Sequence, residues 1–186
     1  GADPDPREGV NLFGSVEGIR GMKMDGNPES AVFGPVEWEA KAAPLAGRVY
    51  AFVAKTMNYV EEAADVTQET LTRAYRYRHA WDRQRPLLAW MLGIASHEIH
   101  RFWKKHRHWD ALNVEVPAGA GEGSEQIRML HQMAARLPGL QREVFFLHYQ
   151  YGFSVEEMAG ILDCPSGTVK RRLWQARDRL RREVMA

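Results

Sequence analysis

Cysteine is nearly absent from this chain: Cys164 is the only one in 186 residues, so neither an internal disulfide nor a cysteine-rich metal cage can be built. A reducing compartment is the natural setting. No apolar run approaches the ~20 residues that span a bilayer, and the start does not have the charged-then-apolar pattern of a signal peptide. The expectation is a soluble, cytoplasmic protein. Also missing are any run with a strand's period, an internal repeat, paired carboxylates, a nucleophile elbow and a phosphate loop, which argues against a hydrolase.

The net charge of +1 conceals an uneven distribution. The first 40 residues hold eight acids against three bases, while 97–109 and 170–182 are basic. Such asymmetry points to separate surfaces for polyanions and for other partners. The chain is long enough for two small domains. Residues 1–34, rich in Gly, Pro and Asp, show no helical or strand period and are expected to be disordered or left over from cloning. Three helices are expected next: Val36 to about Met57 with an interruption near Pro44, about Glu61 to Ala80, and one beginning at Pro86 and running towards His106. Residues 110–124, "DALNVEVPAGAGEGS", hold little that can pack. They read as a flexible linker spanning ~20 Å as a coil and ~50 Å when pulled straight. Helices at about 125–136, 139–151, 154–162 and 166–184 follow. The expected fold class is all-α: two small helical domains, residues 35–109 and 125–186, on either side of the 110–124 linker.

Within the second domain, "FSVEEMAGILDCPSGTVKRRLWQARDRLRREV" (Phe153 to Val184) begins with a capping box. Ser154 can accept from the Glu157 amide while Glu157 reaches back to the cap. Asp163 to Gly167 breaks the helix. Val169, Leu173, Ala176 and Leu180 then recur at i, i+4, i+7 and i+11, one apolar stripe. Thr168, Arg171, Gln175 and Arg182 are placed opposite it, with Lys170, Arg172, Arg177 and Arg179 along the flanks. The bases begin in the first turn, where the helix dipole favours acids. Two helices joined by a tight turn, the second basic on its outer side, suit a helix-turn-helix that enters a major groove.

The stretch "WDRQRPLLAWMLGIASHEIHRFWKKHRHW" (Trp81 to Trp109) interleaves aromatics with bases. Leu87, Trp90, Met91, Ile94 and Phe102 are expected to be core; Trp103 and Trp109 are left open. Four Arg or Lys, four His and one Glu lie between His97 and Trp109. Flat side chains beside cations suit single-stranded nucleic acid, because unpaired bases stack and phosphates need counter-charge. The histidines do not make a zinc site of the HExxH kind: His97 would need its partner at 101, where Arg101 stands.

Two separated segments carry a family resemblance. "EEAADVTQETLTRAYRYRHAWDRQRPLLAWMLGIASHEIHRFWKKHRH" resembles region 2 of the extracytoplasmic-function (ECF) sigma factors, and "AARLPGLQREVFFLHYQYGFSVEEMAGILDCPSGTVKRRLWQARDRLR" resembles their region 4. Asp65, Gln68, Glu69 and Thr70, followed by Arg85, Pro86 and Trp90, separate this family from other regulators that end in a helix-turn-helix. The resemblance implies a dissociable initiation subunit of bacterial RNA polymerase, without catalytic residues, metal, cofactor or small-molecule substrate. Asp65, Gln68, Glu69 and Arg73 would grip a coiled coil of the largest catalytic subunit. Trp81, Arg83, Arg85, His97, Arg101, Lys104 and Lys105 would hold the melted minus-ten element, with His97 at a position that contacts a flipped base. Ser166, Thr168, Lys170, Arg171, Arg172, Gln175, Arg177 and Arg179 would read the minus-thirty-five element as duplex. An anti-sigma factor is implied as a further partner, and a membrane-bound one would hold the chain at the inner membrane. Two positions depart from the common pattern: Thr67 stands where an apolar residue is usual, and His97 where Asn is common. A stand-alone DNA-binding regulator and a metal-using enzyme are the competing readings.

Overall fold

The structure is a computed structural model that describes residues 34–106 and 125–185. The expectations for 1–33 and for the linker lie outside the described residues. Seven α-helices are described: α1 (Pro35–Met57), α2 (Val60–Arg76), α3 (Leu87–Lys105), α4 (Glu125–Ala134), α5 (Gly139–Tyr149), α6 (Val155–Ile161) and α7 (Ser166–Met185), with a short 3-10 turn (Arg78–Ala80) after α2. No strand occurs among the described residues, in keeping with the all-α expectation.

Helices α1, α2 and α3 pack on one another. Trp38, Ala42, Val49, Phe52 and Val53 recur on one side of α1 and are buried, and Trp38 meets the edge of Trp90 from α3 with centroids 6.2 Å apart. The expected interruption at Pro44 does not occur; α1 runs through it. Pro44 is exposed, so the carbonyl that loses its amide partner is solvated by water and the proline costs less than it would inside a core. Helix α1 stops at Asn58, which adopts the left-handed conformation (φ 62°) that Asn tolerates better than most residues. Helix α2 ends at Arg76, four residues earlier than expected, because Tyr77 leaves helical geometry and the chain tightens into the 3-10 turn. Thr67 is buried and solves its polarity locally, its hydroxyl donating to the Ala63 carbonyl at 2.7 Å.

The second group of helices follows its local signals closely. Ser154 caps α6 in the reciprocal arrangement expected, with Glu157 N to Ser154 Oγ at 3.2 Å and Ser154 N to Glu157 Oε2 at 2.8 Å. The Ser154 hydroxyl also donates to Glu157 Oε2 at 2.8 Å, and the amide and hydroxyl together hold the Glu157 pKa below its usual value. Asp163, at φ 47°, turns the chain into α7. Val169, Leu173, Ala176 and Leu180 are the buried residues of α7, as the stripe requires; they pack in two clusters, Ala176 and Leu180 with Phe145, Phe146 and Leu137.

The two groups pack against each other in this structure. One buried cluster runs from Phe52, Met57 and Met91 through Val144 and Leu147 to Met158, Val169 and Leu173. Helix α5 packs on α1, and α6 on α3.

Candidate polymerase and promoter-DNA interfaces

On α2, Asp65, Gln68 and Glu69 are exposed along one side while their neighbours Val66, Thr67 and Thr70 are buried. Arg73 is more constrained than its companions. Its Nε lies 2.6 Å from Glu69 Oε1 and 3.0 Å from Glu98 Oε1 on α3. Glu98 is only 6% exposed and also takes Arg101 Nη1 at 2.9 Å. A buried carboxylate held between two guanidiniums is a rigid joint between α2 and α3. Sequence reasoning placed Arg73 and Arg101 in two different surfaces and missed the residue that joins them. Charge alternation at 97–101 was the available signal, but the α2 partner depends on how the helices cross.

The loop into α3 is internally tied. Trp81 Nε1 donates to the Arg85 carbonyl at 3.0 Å, and the Gln84 amide donates to Asp82 Oδ1 at 3.0 Å. The Trp81 ring is half-buried against the core, whereas Arg83 and Arg85 are exposed. Leu87, Trp90 and Met91 are buried as expected, and Ile94 and Phe102 are half-buried at the edge of the core. His97, Arg101, Lys104 and Lys105 lie on the exposed side of α3. Partial burial lowers the His97 pKa, against the opposing pull of Glu98. A neutral imidazole can accept as well as donate a hydrogen bond, which suits contact with a base edge. Among the described residues no group of His, Cys, Asp and Glu is arranged to hold a metal ion. Trp103 turns away from this side: it stacks on His100 with centroids 5.5 Å apart and lies over Gly139 of α5. Trp109 lies outside the described residues.

On α7 the structure divides the predicted residues. Lys170, Arg171, Arg177 and Arg179 are exposed, while Ser166, Thr168, Arg172 and Gln175 are half-buried. At 100° per residue, Thr168 and Gln175 sit on the flank of the helix and not opposite the apolar stripe. Gln175 accepts from Gln141 at 3.4 Å. The charge of Arg172 acts on His100 of α3 and on Cys164 in the turn before α7. Arg177 Nε donates to the Tyr149 hydroxyl at 2.8 Å. On the other flank, as far from the apolar stripe as Gln175, stands Trp174, 64% exposed among these cations. Sequence reasoning passed over it, although its place off the stripe was there to be read.

A three-helix bundle with a cationic side is followed by a capped helix-turn-helix with a basic second helix, and each part matches a sequence profile of the sigma-70-type transcription factors. The sequence profile "Sigma-70 region 2" matches residues 43–108 and "Sigma-70, region 4" matches 127–180. The chain is 33% identical over 138 residues to the ECF RNA polymerase sigma factor SigD of Mycobacterium tuberculosis, covering 67% of this chain and 64% of SigD. It is 29% identical over 156 residues to the ECF RNA polymerase sigma factor SigW of Bacillus subtilis, covering 74% of this chain and 83% of SigW. Among solved structures, the sigma factor RpoE in complex with the anti-sigma factor NepR from Bartonella quintana superimposes with a TM-score of 0.69 at 26% identity, covering 81% of this chain and 98% of that one. An alignment of that extent takes in residues of both helical groups. The chain belongs to the ECF sigma factor family.

Proposed function

We propose that the chain binds core RNA polymerase, recognises minus-ten and minus-thirty-five promoter elements and directs transcription initiation, under the control of an anti-sigma factor. The observation that carries this reading is the presence, on one chain, of three differently built polar sides: the acidic and amide side of α2, the cationic side of α3, and the cationic outer side of α7. Each suits a different target. Asp65, Gln68 and Glu69 offer carboxylates and an amide to a protein surface, with Arg73 ordering Glu69 from behind. Arg83, Arg85, His97, Arg101, Lys104 and Lys105 offer counter-charge and one neutral imidazole to an unpaired strand, with Trp81 bracing the loop that carries the first two. Lys170, Arg171, Trp174, Arg177 and Arg179 face a duplex, where an indole can meet a thymine methyl while the cations reach phosphates and base edges. In this reading 35–109 is the polymerase and minus-ten domain, 125–186 the minus-thirty-five domain, and 110–124 the link between them. The RpoE structure was solved with an anti-sigma factor bound, which supports the same kind of partner here.

The direct test is a pull-down with core RNA polymerase followed by run-off transcription. Replacing Asp65 and Glu69 by Ala should weaken polymerase binding and leave helicity unchanged. Wild-type affinity in that double variant would remove the assignment of α2, and duplex binding without any dependence on polymerase would favour a stand-alone regulator.

A further inference from the structure

The contact between the two helical groups has an unusual make-up. Arg142 of α5 is 6% exposed, and its guanidinium donates to four carbonyls: Thr56 at 2.7 Å and Met57 at 3.3 Å at the end of α1, and Ala135 at 2.8 Å and Leu137 at 3.0 Å after α4. Next to it Glu143, fully buried, receives His100 Nε2 of α3 at 3.0 Å. The Tyr151 hydroxyl donates to the Arg48 carbonyl at 2.6 Å, and Lys55 donates to Gln150 at 3.0 Å. Trp103 lies so close to Gly139 that an added Cβ would stand 2.6 Å from its ring. Yet Thr56 Oγ1, Asn58 Oδ1, Trp103 Nε1 and Glu143 Oε1 are buried there without a partner among the described residues. Permanent cores avoid such atoms, and separation of the two groups would return them to water.

A closed arrangement of this kind cannot read a whole promoter. Elements centred about 25 base pairs apart lie roughly 85 Å from one another at ~3.4 Å per base pair. A compact body of this chain length is roughly 40 Å across.

We propose that the packing of α5 against α1 and α3 is a closed, inactive state of the chain, latched by Arg142 and by the His100–Glu143 pair, and that loss of the His100 proton releases the latch. The inhibitory meaning rests on the function proposed above; the latch itself does not. The charged and titratable groups around His100 are Glu143 from α5 and Arg172 from α7 and His97 on its own helix, with Cys164, in the turn before α7, close to Glu143 and Arg172. Burial lowers the His100 pKa, but the charge and hydrogen bond of Glu143 outweigh it and leave the pKa above the ordinary 6.5. With Glu143 withdrawn, the open state returns towards the ordinary value. The stabilisation of the closed state is therefore fully present below about 6.5 and is lost as the pH rises through the closed-state pKa. Alkaline conditions open the chain.

The test uses the full chain with Cys164→Ser and spin labels at Glu39→Cys and Arg181→Cys, both exposed and outside the proposed interfaces. Pulsed electron resonance at pH 5.5 should give mainly one short distance, and at pH 8.5 the ratio of long to short distances should rise several-fold. His100→Gln should remove that pH dependence. Gly139→Leu, which drives a side chain into Trp103 without touching a proposed interface, should give long distances at both pH values. One unchanged short distance in all three proteins at both pH values would overturn the proposal, as would long distances dominating at pH 5.5 in the parent protein. A pH response that survives in His100→Gln would overturn the role of the pair. Core polymerase with a promoter duplex should convert the parent protein to long distances, and a transcribing complex that keeps the short distance would overturn the inhibitory meaning. Failure of run-off transcription would count against the proposed function alone, because the distances of the free chain are measured without polymerase.

Discussion

Helices α3 and α7 are alike in length and both carry a net positive charge, the greater on α7, and they are built in opposite ways. Ten residues of α3 are buried and only four of α7. Helix α7 rests on a narrow stripe and presents most of its circumference outward, as a rod entering a groove must. Helix α3 is enclosed on most sides by α1, α2 and α6 and shows a strip of cations at one edge. An unpaired strand is flexible, so its support has to supply the rigidity; a duplex is stiff and can be read by a projecting helix. The two helices thus divide the work by where the stiffness resides, a difference that positive charge alone does not reveal.

The comparison breaks most visibly in stability. Met91 of α3 is fully buried, and Met91→Ala should cost ~2–5 kcal/mol in denaturant unfolding, whereas Trp174→Ala on α7 should stay within about 0.5 kcal/mol. Similar losses from the two changes would mean that α7 is more enclosed than the structure has it. A second measurement sharpens the reading of α7. Arg171→Ala should cost ~1–3 kcal/mol and relax sequence preference at one duplex position, while Lys170→Ala should weaken binding evenly and flatten its salt dependence. Unchanged discrimination by the Arg171 variant would move base reading to Trp174 or Gln175.

A smaller effect concerns how the helices start. None of α1, α2 and α3 has a side-chain cap, whereas Ser154 caps α6. Ser154→Ala should cost ~0.5–2 kcal/mol. The Glu157 pKa, now lowered by its bonds to Ser154, should rise in that variant, so the lost stability is the part normally present above the unfolded Glu pKa and lost in acid. Acid titration of both proteins checks the sign. The smallest effect contrasts two histidines one turn apart on α3. In a nuclear magnetic resonance titration His97 should have its midpoint below 6.5 and His100 above it, and Glu143→Gln should lower only the second. Coincident midpoints would remove the electrostatic difference between the two edges of α3.

What could be read in advance follows from the range of the interactions involved. The α6–α7 unit was legible almost residue by residue, because a capping box and an apolar stripe are local patterns within 32 residues. Pro44 misled because its cost depends on whether the freed carbonyl faces solvent, which only packing decides. Arg73 and Arg101 were legible as polar residues at helical spacing, but their common hold on Glu98 depends on the crossing of α2 and α3. Nothing local places Trp103, because its neighbour Gly139 is 36 positions away. The close packing of the two groups had no local signal at all, since Arg142 looks like any surface arginine until the end of α1 comes beside it.

Trp174 has a consequence of another kind. Among the described tryptophans, Trp38 and Trp90 are buried, Trp81 and Trp103 are half-covered, and Trp174 alone stands mostly in water at 64% exposure. An indole in water emits at longer wavelength than one in a core and is open to collisional quenchers. The outer side of α7 therefore carries its own optical probe, one that a bound duplex would shield from acrylamide and whose colour reports occupancy without any added label.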